Sequence, residues 1–545
     1  MKTRSAIATA CAVAGVGLVL ASCGPSTAQP AQGSTPGSVQ VVRMAGSDIG
    51  FPSPYAYIKG PGLAQTFLIF DSLIWKDSTG KYIPWLATSW SPSSDGLQWT
   101  FTLRHNVTWQ DGQPFTADDV VFTFDYITKG PAKSALGVIG AVPVTQSVAT
   151  APDTVVFTLA KPMATFEDAV AGRVPIAPKH VWATVTDPAR YRDPSALVGT
   201  GPYKLASYDE AASTYDYVAN PTFWGGMPYV KEVQFTPSSN ELRSLQVGDL
   251  DIANVTKTSD AVLTQLKKNA AYAELSARGE SNTALHFNLT RSFPFDNKSF
   301  RQAIAYTVDR NDLVKRVLLG EGEAGSMGDL APSSPWLAPN LPAYNRDLAK
   351  ARSLLDSIGM TVSASGLRTL PNGQAFTPQL MTTAADAQTA GLIKEYLNAV
   401  GINLQVVSVD QATSDASLAS ARFDMALVDY GAMASDPDWL RQRLSSSVQS
   451  KSFLRLPGYN DPAFEAPAVA QLTTMDQTQR KQLVWTMQRV VADDVPLISL
   501  YLTNRIAVYK KATFSSWYYT PGGVFGLYPY VLNKHVLVTG KTKGM

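Results

Sequence analysis

Asp436 and Asp438 flank Pro437, and two carboxylates this close are the residue types a hydrolase uses as acid and base. Adjacent loop carboxylates also form turns, and no residue distant in the sequence can be assigned to partner them. Asp118-Asp119 and Asp493-Asp494 read instead as charges at helix ends. The four histidines (His105, His180, His286, His535) are scattered, and none stands at a metal-ligand spacing. There is no P-loop, no nucleophile-elbow serine and no dinucleotide fingerprint, since Gly199-Thr200-Gly201 lacks a third glycine. Aromatic side chains are plentiful, with 11 tryptophans and 22 tyrosines. Most will fill cores, but a flat apolar face with a polar tip also suits a ligand cleft.

The cysteines locate the chain. Lys2 and Arg4 precede an apolar run, Ala6 to Leu20, which stops at Leu20-Ala21-Ser22-Cys23. A positive flank and an apolar stretch too short for a comfortable membrane span read as an export signal. The Leu-Ala-Ser-Cys ending is similar to a bacterial lipobox. That resemblance implies cleavage before Cys23 and a diacylglyceryl group on its thiol; the alternative is an ordinary secretory signal with an incidental cysteine. Residues 1–22 are then signal and 23–38 a tether, uncharged and without large apolar side chains. The fifteen coil residues from Gly24 to Ser38 reach about 20 Å on average. Cys11 leaves with the signal, so the mature fold has no internal disulfide. Loss of Lys2 and Arg4 takes the 46 basic residues to 44, against 44 acidic ones. A neutral protein has no global reason to seek nucleic acid or anionic lipid.

Helices and strands alternate along the remainder, which argues α/β. Val39 to Val42 is a short first strand, followed by a loop holding Phe51, Tyr55 and Tyr57. Leu63 to Leu73 has a helical pattern. Trp99, Phe101 and Leu103 alternate with polar residues as a half-buried strand. Thr116 caps a helix whose first turn carries Asp118 and Asp119. Tyr203 to Ala219 is a hairpin, Val230 to Thr236 a strand, and Asn240 to Val247 a helix ended by Gly248. Farther on, Phe300 to Leu319 is the clearest helical segment, with Asp309 capping a second part and Gly320 stopping it. Helices over Arg346–Ile358, Leu392–Val400 and Thr478–Asp493 alternate with strands over Leu285–Leu289, Leu404–Val409, Phe423–Val428 and Pro496–Tyr501.

Several motifs in this order carry a resemblance. They are Tyr82-Ile83-Pro84-Trp85-Leu86-Ala87-Thr88-Ser89-Trp90, Trp109 to Val120, Val198 to Tyr203, Asn220 to Gly226 and Phe300 to Arg310. Together they resemble the signature of solute-binding protein family 5, the oligopeptide-, dipeptide- and nickel-binding receptors of ABC importers. The resemblance implies a two-lobed α/β fold of the periplasmic-binding-protein type (cluster C), with an extra domain inserted in the first lobe. Lobe I is expected over 39–75, 195–284 and 500–545, the inserted domain over 76–194 and lobe II over 285–499. It also implies a ligand enclosed between closing lobes, delivery to membrane permeases, no cofactor and no bond made or broken.

Peptide binders of this family often hold the peptide ammonium with an aspartate four residues before an Asp-Pro-like turn, and an aromatic three residues upstream of it. With Asp436-Pro437 as the turn, Tyr430 fits the aromatic position, but Met433 occupies the aspartate position. Methionine cannot balance a buried ammonium. Asp429 and Asp436 are the carboxylates that could stand in. The ligand-binding candidates are therefore Tyr55, Tyr57, Tyr430, Trp439, Asp436, Trp517 and Tyr518. The expected function is a monomeric, lipid-anchored receptor on the outer face of the cell membrane, capturing a peptide-class solute. An oligosaccharide, an opine-like compound or a metal complex is the alternative ligand. The alternatives from other classes are a surface hydrolase using Asp436 or Asp438, and a binding protein that has lost its permease.

Overall fold

A computed structural model of the chain describes residues 37–56, 62–132, 142–255, 260–431, 436–448, 455–521, 523–524 and 532–541. Cys23, Tyr57 and Met433 lie outside the described residues.

Three sheets carry the architecture. In the first, Val39–Gly46 runs parallel to Val230–Pro237, and Thr214–Ala219 and Tyr203–Asp209 extend it antiparallel. The second is an antiparallel sheet ordered Ala87–Pro92, Gln98–Leu103, Thr154–Leu159, Val144–Ala151. Its inward residues follow the alternation of the sequence: Trp99, Phe101 and Leu103 are buried while Gln98 and Thr100 are exposed. The third has seven strands, with Ile252–Asn254, Leu497–Lys510, Tyr272–Phe287, Met425–Gly431, Gln379–Thr382 and Gln405–Ser408 side by side and Gly322–Ala324 added to Leu497–Lys510.

Two of these strands are unusually long, Tyr272–Phe287 with 16 residues and Leu497–Lys510 with 14. They pair antiparallel and pass between two cores. Leu275, Ala277 and Ala507 pack in the first core, whereas Leu285, Phe287, Ile498 and Leu500 pack in the second. The result is a two-lobed α/β fold joined by continuous strands. The lobes also touch at their rims. The Ala164 amide donates to the Leu472 carbonyl at 2.7 Å, and Met475 packs beside Gly96, where a Cβ would lie 2.9 Å from Met475 Cγ.

Local chemistry sets the element ends. The Thr116 amide donates to Asp119 Oδ2 at 2.9 Å, a capping box for the helix Ala117–Thr128. The helical segment expected from Phe300 to Leu319 is two helices, Lys298–Thr307 and Arg310–Val317, with Asp309 capping the second as expected by accepting from the Asp312 amide. The helix expected to reach Leu73 stops at Ile69. There the chain turns inward and delivers Asp71 to the core.

Asp71 ties the sequence motifs together in space. Its carboxylate accepts from Trp85 Nε1 (2.6 Å), Thr200 Oγ1 (2.9 Å), Trp224 Nε1 (3.2 Å) and Lys534 Nζ (2.5 Å). Three motifs and a residue near the C-terminus thus converge on one fully buried charge. Lys534 is also enclosed by aromatic faces, 4.2 Å from the Trp75 centroid and 5.0 Å from that of Trp85. Gly199 and Gly201 let the backbone come close enough: a Cβ would sit 2.0 Å and 2.4 Å from the Ile69 carbonyl oxygen. In the second lobe Arg301 does comparable work. Its guanidinium donates to the carbonyls of Phe295, Asp494 and Val495, fixing Val495 at a φ of +49° that a β-branched residue seldom adopts.

Candidate functional site

A cavity of about 610 Å³ opens between the lobes, within the range usual for small-molecule sites. Lys76, Tyr82, Asp168 and Tyr518 line it from the first lobe, Trp336 and Asp436 from the second, and Leu275 to Arg278 from the connecting strand. The positioning is tertiary. Lys76 ends the short strand Ile74–Lys76, which pairs with Tyr82–Pro84. Asp168 sits in a π-helical turn, Glu167–Ala171, a geometry frequent at functional sites. Asp436 stands one residue before Pro437, the N-cap of the helix Asp438–Leu444.

Each lobe contributes one ion pair to this space. Lys76 Nζ lies 2.5 Å from Asp168 Oδ1 and also donates to the Gly523 carbonyl at 3.2 Å, and the Tyr82 hydroxyl donates to Asp168. Burial, with Asp168 beside it, pushes the Tyr82 hydroxyl well above its ordinary value, so it stays a donor. Opposite, Arg480 binds Asp436 in bidentate fashion at 2.5 Å and 2.7 Å while its ring-facing side lies 5.1 Å from the Trp336 centroid. Burial raises the Asp436 carboxyl; Arg480 pulls it down and the negative charge of Asp168 pushes it up again. Asp436 therefore senses the charge of Asp168 across the cleft.

The sequence candidates divide. Asp436 and Tyr518 line the cavity, the latter with its hydroxyl 3.2 Å from His535 Nδ1. Tyr55 is buried in a cluster with Tyr126 and Trp182, centroids 5.2 Å and 4.8 Å away. Tyr430 is buried in the second lobe, where its hydroxyl donates to Asp329 at 2.6 Å and accepts from Asn282 Nδ2 at 2.8 Å. Trp517 is buried edge-on against Phe514, and Trp439 is half-buried on the helix Asp438–Leu444. None of these four lines the cavity. Asp438 turns away from Asp436: its carboxylate accepts from Arg441, Gln442 and Gln471. Each member of the pair is thus held by its own arginine, and the two do not converge on a common point. Of the carboxylates that could stand in for an ammonium anchor, Asp436 faces the cavity and Asp429 lines a separate small pocket beside Asp386.

Lys76, Tyr82, Asp168, Arg278 and Trp336 were not singled out by sequence. Tyr82 stands inside a recognisable motif, but Asp168 and Arg278 carry no local signal. Among the described residues no three His, Cys, Asp or Glu side chains are grouped to hold a metal ion. No described helix is long and apolar enough to cross a membrane.

Two lobes joined by strands, with a charged and aromatic cavity between them, define a receptor that encloses its ligand. Residues 81–452 match the family model described as bacterial extracellular solute-binding proteins, family 5 middle, and the chain belongs to that family of solute-binding, non-catalytic proteins. Protein XP55 of Streptomyces lividans is 29% identical over 512 residues, which span 90% of this chain and 88% of that protein. The probable D,D-dipeptide-binding periplasmic protein DdpA of Escherichia coli is 27% identical over 446 residues, 78% of this chain and 80% of the other. Among solved structures, NikA of Brucella suis in complex with Fe(III)-EDTA superposes with a TM-score of 0.73 at 22% identity, covering 90% of this chain and 100% of NikA.

Proposed function

We propose that this protein is an extracytoplasmic receptor of an ABC importer, which captures a peptide-class solute between its lobes and hands it to membrane permeases. The observation that carries the reading is the interlobe cavity, walled by one ion pair from each lobe and by Tyr518 and Trp336. Aromatic faces take apolar side chains, and paired charges offer both signs to a zwitterionic backbone. The relative DdpA, a probable D,D-dipeptide-binding protein, agrees with a peptide. A metal complex is the second reading, favoured by the Fe(III)-EDTA held by NikA.

Within this reading Asp436 and Tyr518 are ligand contacts, joined by Asp168, Tyr82 and Trp336. Lobe I comprises 39–75, 195–284 and 500–545, the inserted domain 76–194 and lobe II 285–499. The long strands Tyr272–Phe287 and Leu497–Lys510, which cross residues 284–285 and 499–500, are the hinge. Residues 1–22 are a signal, 23–38 a tether, and Cys23 carries the lipid of a monomeric receptor held near its permease.

Native mass spectrometry of the purified mature protein tests the ligand. A retained peptide series at one copy per chain is expected; a retained metal chelate selects the second reading. Catalytic consumption of a peptide, abolished by Asp436→Asn, would overturn the receptor. For the anchor, Cys23→Ala moves the protein from the detergent to the aqueous phase on Triton X-114 partition; a wild type already in the aqueous phase removes the lipid.

A further inference from the structure

Among the described residues, the charged side chains that line the cavity are Lys76, Asp168, Arg278 and Asp436. Lys76 is matched by Asp168 and Arg480 by Asp436. Arg278 also lines the cavity, is exposed, and makes no hydrogen bond or ion pair with a described residue. It remains so although the rims of the lobes already touch at Ala164 and Leu472.

The backbone is specially shaped to place it there. Tyr272–Phe287 pairs with Leu497–Lys510 through Ala277 opposite Arg505 and resumes with Ser281 opposite Thr503. Three residues, Arg278 to Glu280, therefore stand opposite Asn504 alone. Gly279 sits at a φ of +63°, and its amide donates to Asn504 Oδ1 at 3.4 Å. Bulges of this kind re-aim side chains beside binding sites. This one lies in the strand that connects the lobes.

One carboxylate senses Arg278 from the second lobe. Glu323, on Gly322–Ala324, is influenced by the guanidinium, but its Oε1 has no hydrogen-bond partner among the described residues. Burial raises the Glu323 carboxyl and the Arg278 charge lowers it. The planar fork of a guanidinium matches a carboxylate.

We propose that Arg278 is an anion subsite at the hinge face of the cleft, which takes a carboxylate of the captured solute. The assignment rests on the peptide-class reading for the source of that group, the peptide C-terminus. A polycarboxylate chelate offers the same chemistry.

The test uses the mature protein, its Arg278→Gln and Arg278→Lys variants, and three probes in equilibrium dialysis: a tetrapeptide library with free C-termini, the same library amidated, and ferric EDTA. The wild type is expected to prefer the free acids by about 10- to 100-fold, the range of a charge-assisted hydrogen bond. Arg278→Gln is expected to bind both sets alike with an unchanged melting temperature, and Arg278→Lys to keep part of the preference. Equal binding of both sets by the wild type, or a preference that survives in Arg278→Gln, overturns the subsite. A wild type that takes neither library but binds ferric EDTA, with loss in Arg278→Gln, removes the peptide and keeps the subsite. Binding of none of the three overturns both.

Discussion

Asp71 and Asp436 are both carboxylates paired with a cation, and they are built for opposite ends. Asp71 has no exposed surface and accepts from four donors, two of them tryptophans and one Lys534. Nothing is left for a ligand to bind. Asp436 shares its two oxygens with Arg480 and the Asp438 amide, but its side chain keeps 21% of its surface open to the cleft. A saturated buried pair fixes a fold. A half-open pair keeps lone pairs and field available to a solute. The second lobe holds an intermediate case. Asp329 and Arg443 are buried together, yet Arg443 Nε and Nη2, and both nitrogens of the neighbouring His286, find no partner among the described residues. Burial and the Arg443 charge hold the His286 ring well below the usual histidine range, so it remains neutral.

The comparison is broken most severely at Lys534. Lys534→Met leaves Asp71 buried without its cation and should lower stability by about 3–5 kcal/mol. Denaturant unfolding measures it, and a loss under about 1 kcal/mol would place the hub among ordinary surface pairs. Asp71→Asn in the same chain should recover part of the loss, since the stranded charge is then gone.

A carboxylate whose neighbour is another carboxylate sharpens the contrast. The Asp386 carboxyl is pushed up to about 7 by burial and by Asp429, and Asp429 itself accepts from Thr283 at 2.5 Å. The unfolded value is near 4. Stability from the protonated form is thus fully present below about pH 4 and is lost as pH rises toward 7. Asp386→Asn cannot ionise, so its advantage over the wild type should grow across that window to about 1–3 kcal/mol. Melting temperatures at pH 4, 5.5 and 7.5 check it; a constant offset would contradict it.

Asp436→Asn should be milder for the fold, about 1–2 kcal/mol, because the pair is partly solvated and the carboxamide oxygen still accepts from Arg480. Its larger effect is on the solute retained at purification, read by native mass spectrometry. Unchanged retention would detach Asp436 from the ligand. Thr200→Val removes one of four donors to Asp71 at nearly constant volume and should cost about 1 kcal/mol, the smallest change, seen as a shift in the urea midpoint with m unchanged.

Legibility followed the range of each interaction. The Thr116–Asp119 cap, the Asp309 cap and the Gly248 helix end depend on residues within a few positions, and each could be read directly. The alternation of Trp99, Phe101 and Leu103 gave the buried face of its strand. Tyr430 shows the limit. It stands in an aromatic position that suits a ligand, but Asn282, Asp329 and Arg443, distant in sequence, absorb its polar and aromatic surfaces. The strands Tyr272–Phe287 and Leu497–Lys510 were read only at the ends that lie in one core, because a strand passing between two cores shows no single pattern of burial.

By itself the sequence determined the α/β class, the family and the local element ends, since these rest on short-range periodicity, capping and motif order. Only the tertiary structure decided that Trp85, Thr200, Trp224 and Lys534 meet on Asp71, and that Lys76, Asp168, Arg278 and Asp436 wall one cavity. Charges act through space and not along the chain, so residues hundreds of positions apart become one site only when packing brings them within a few ångströms.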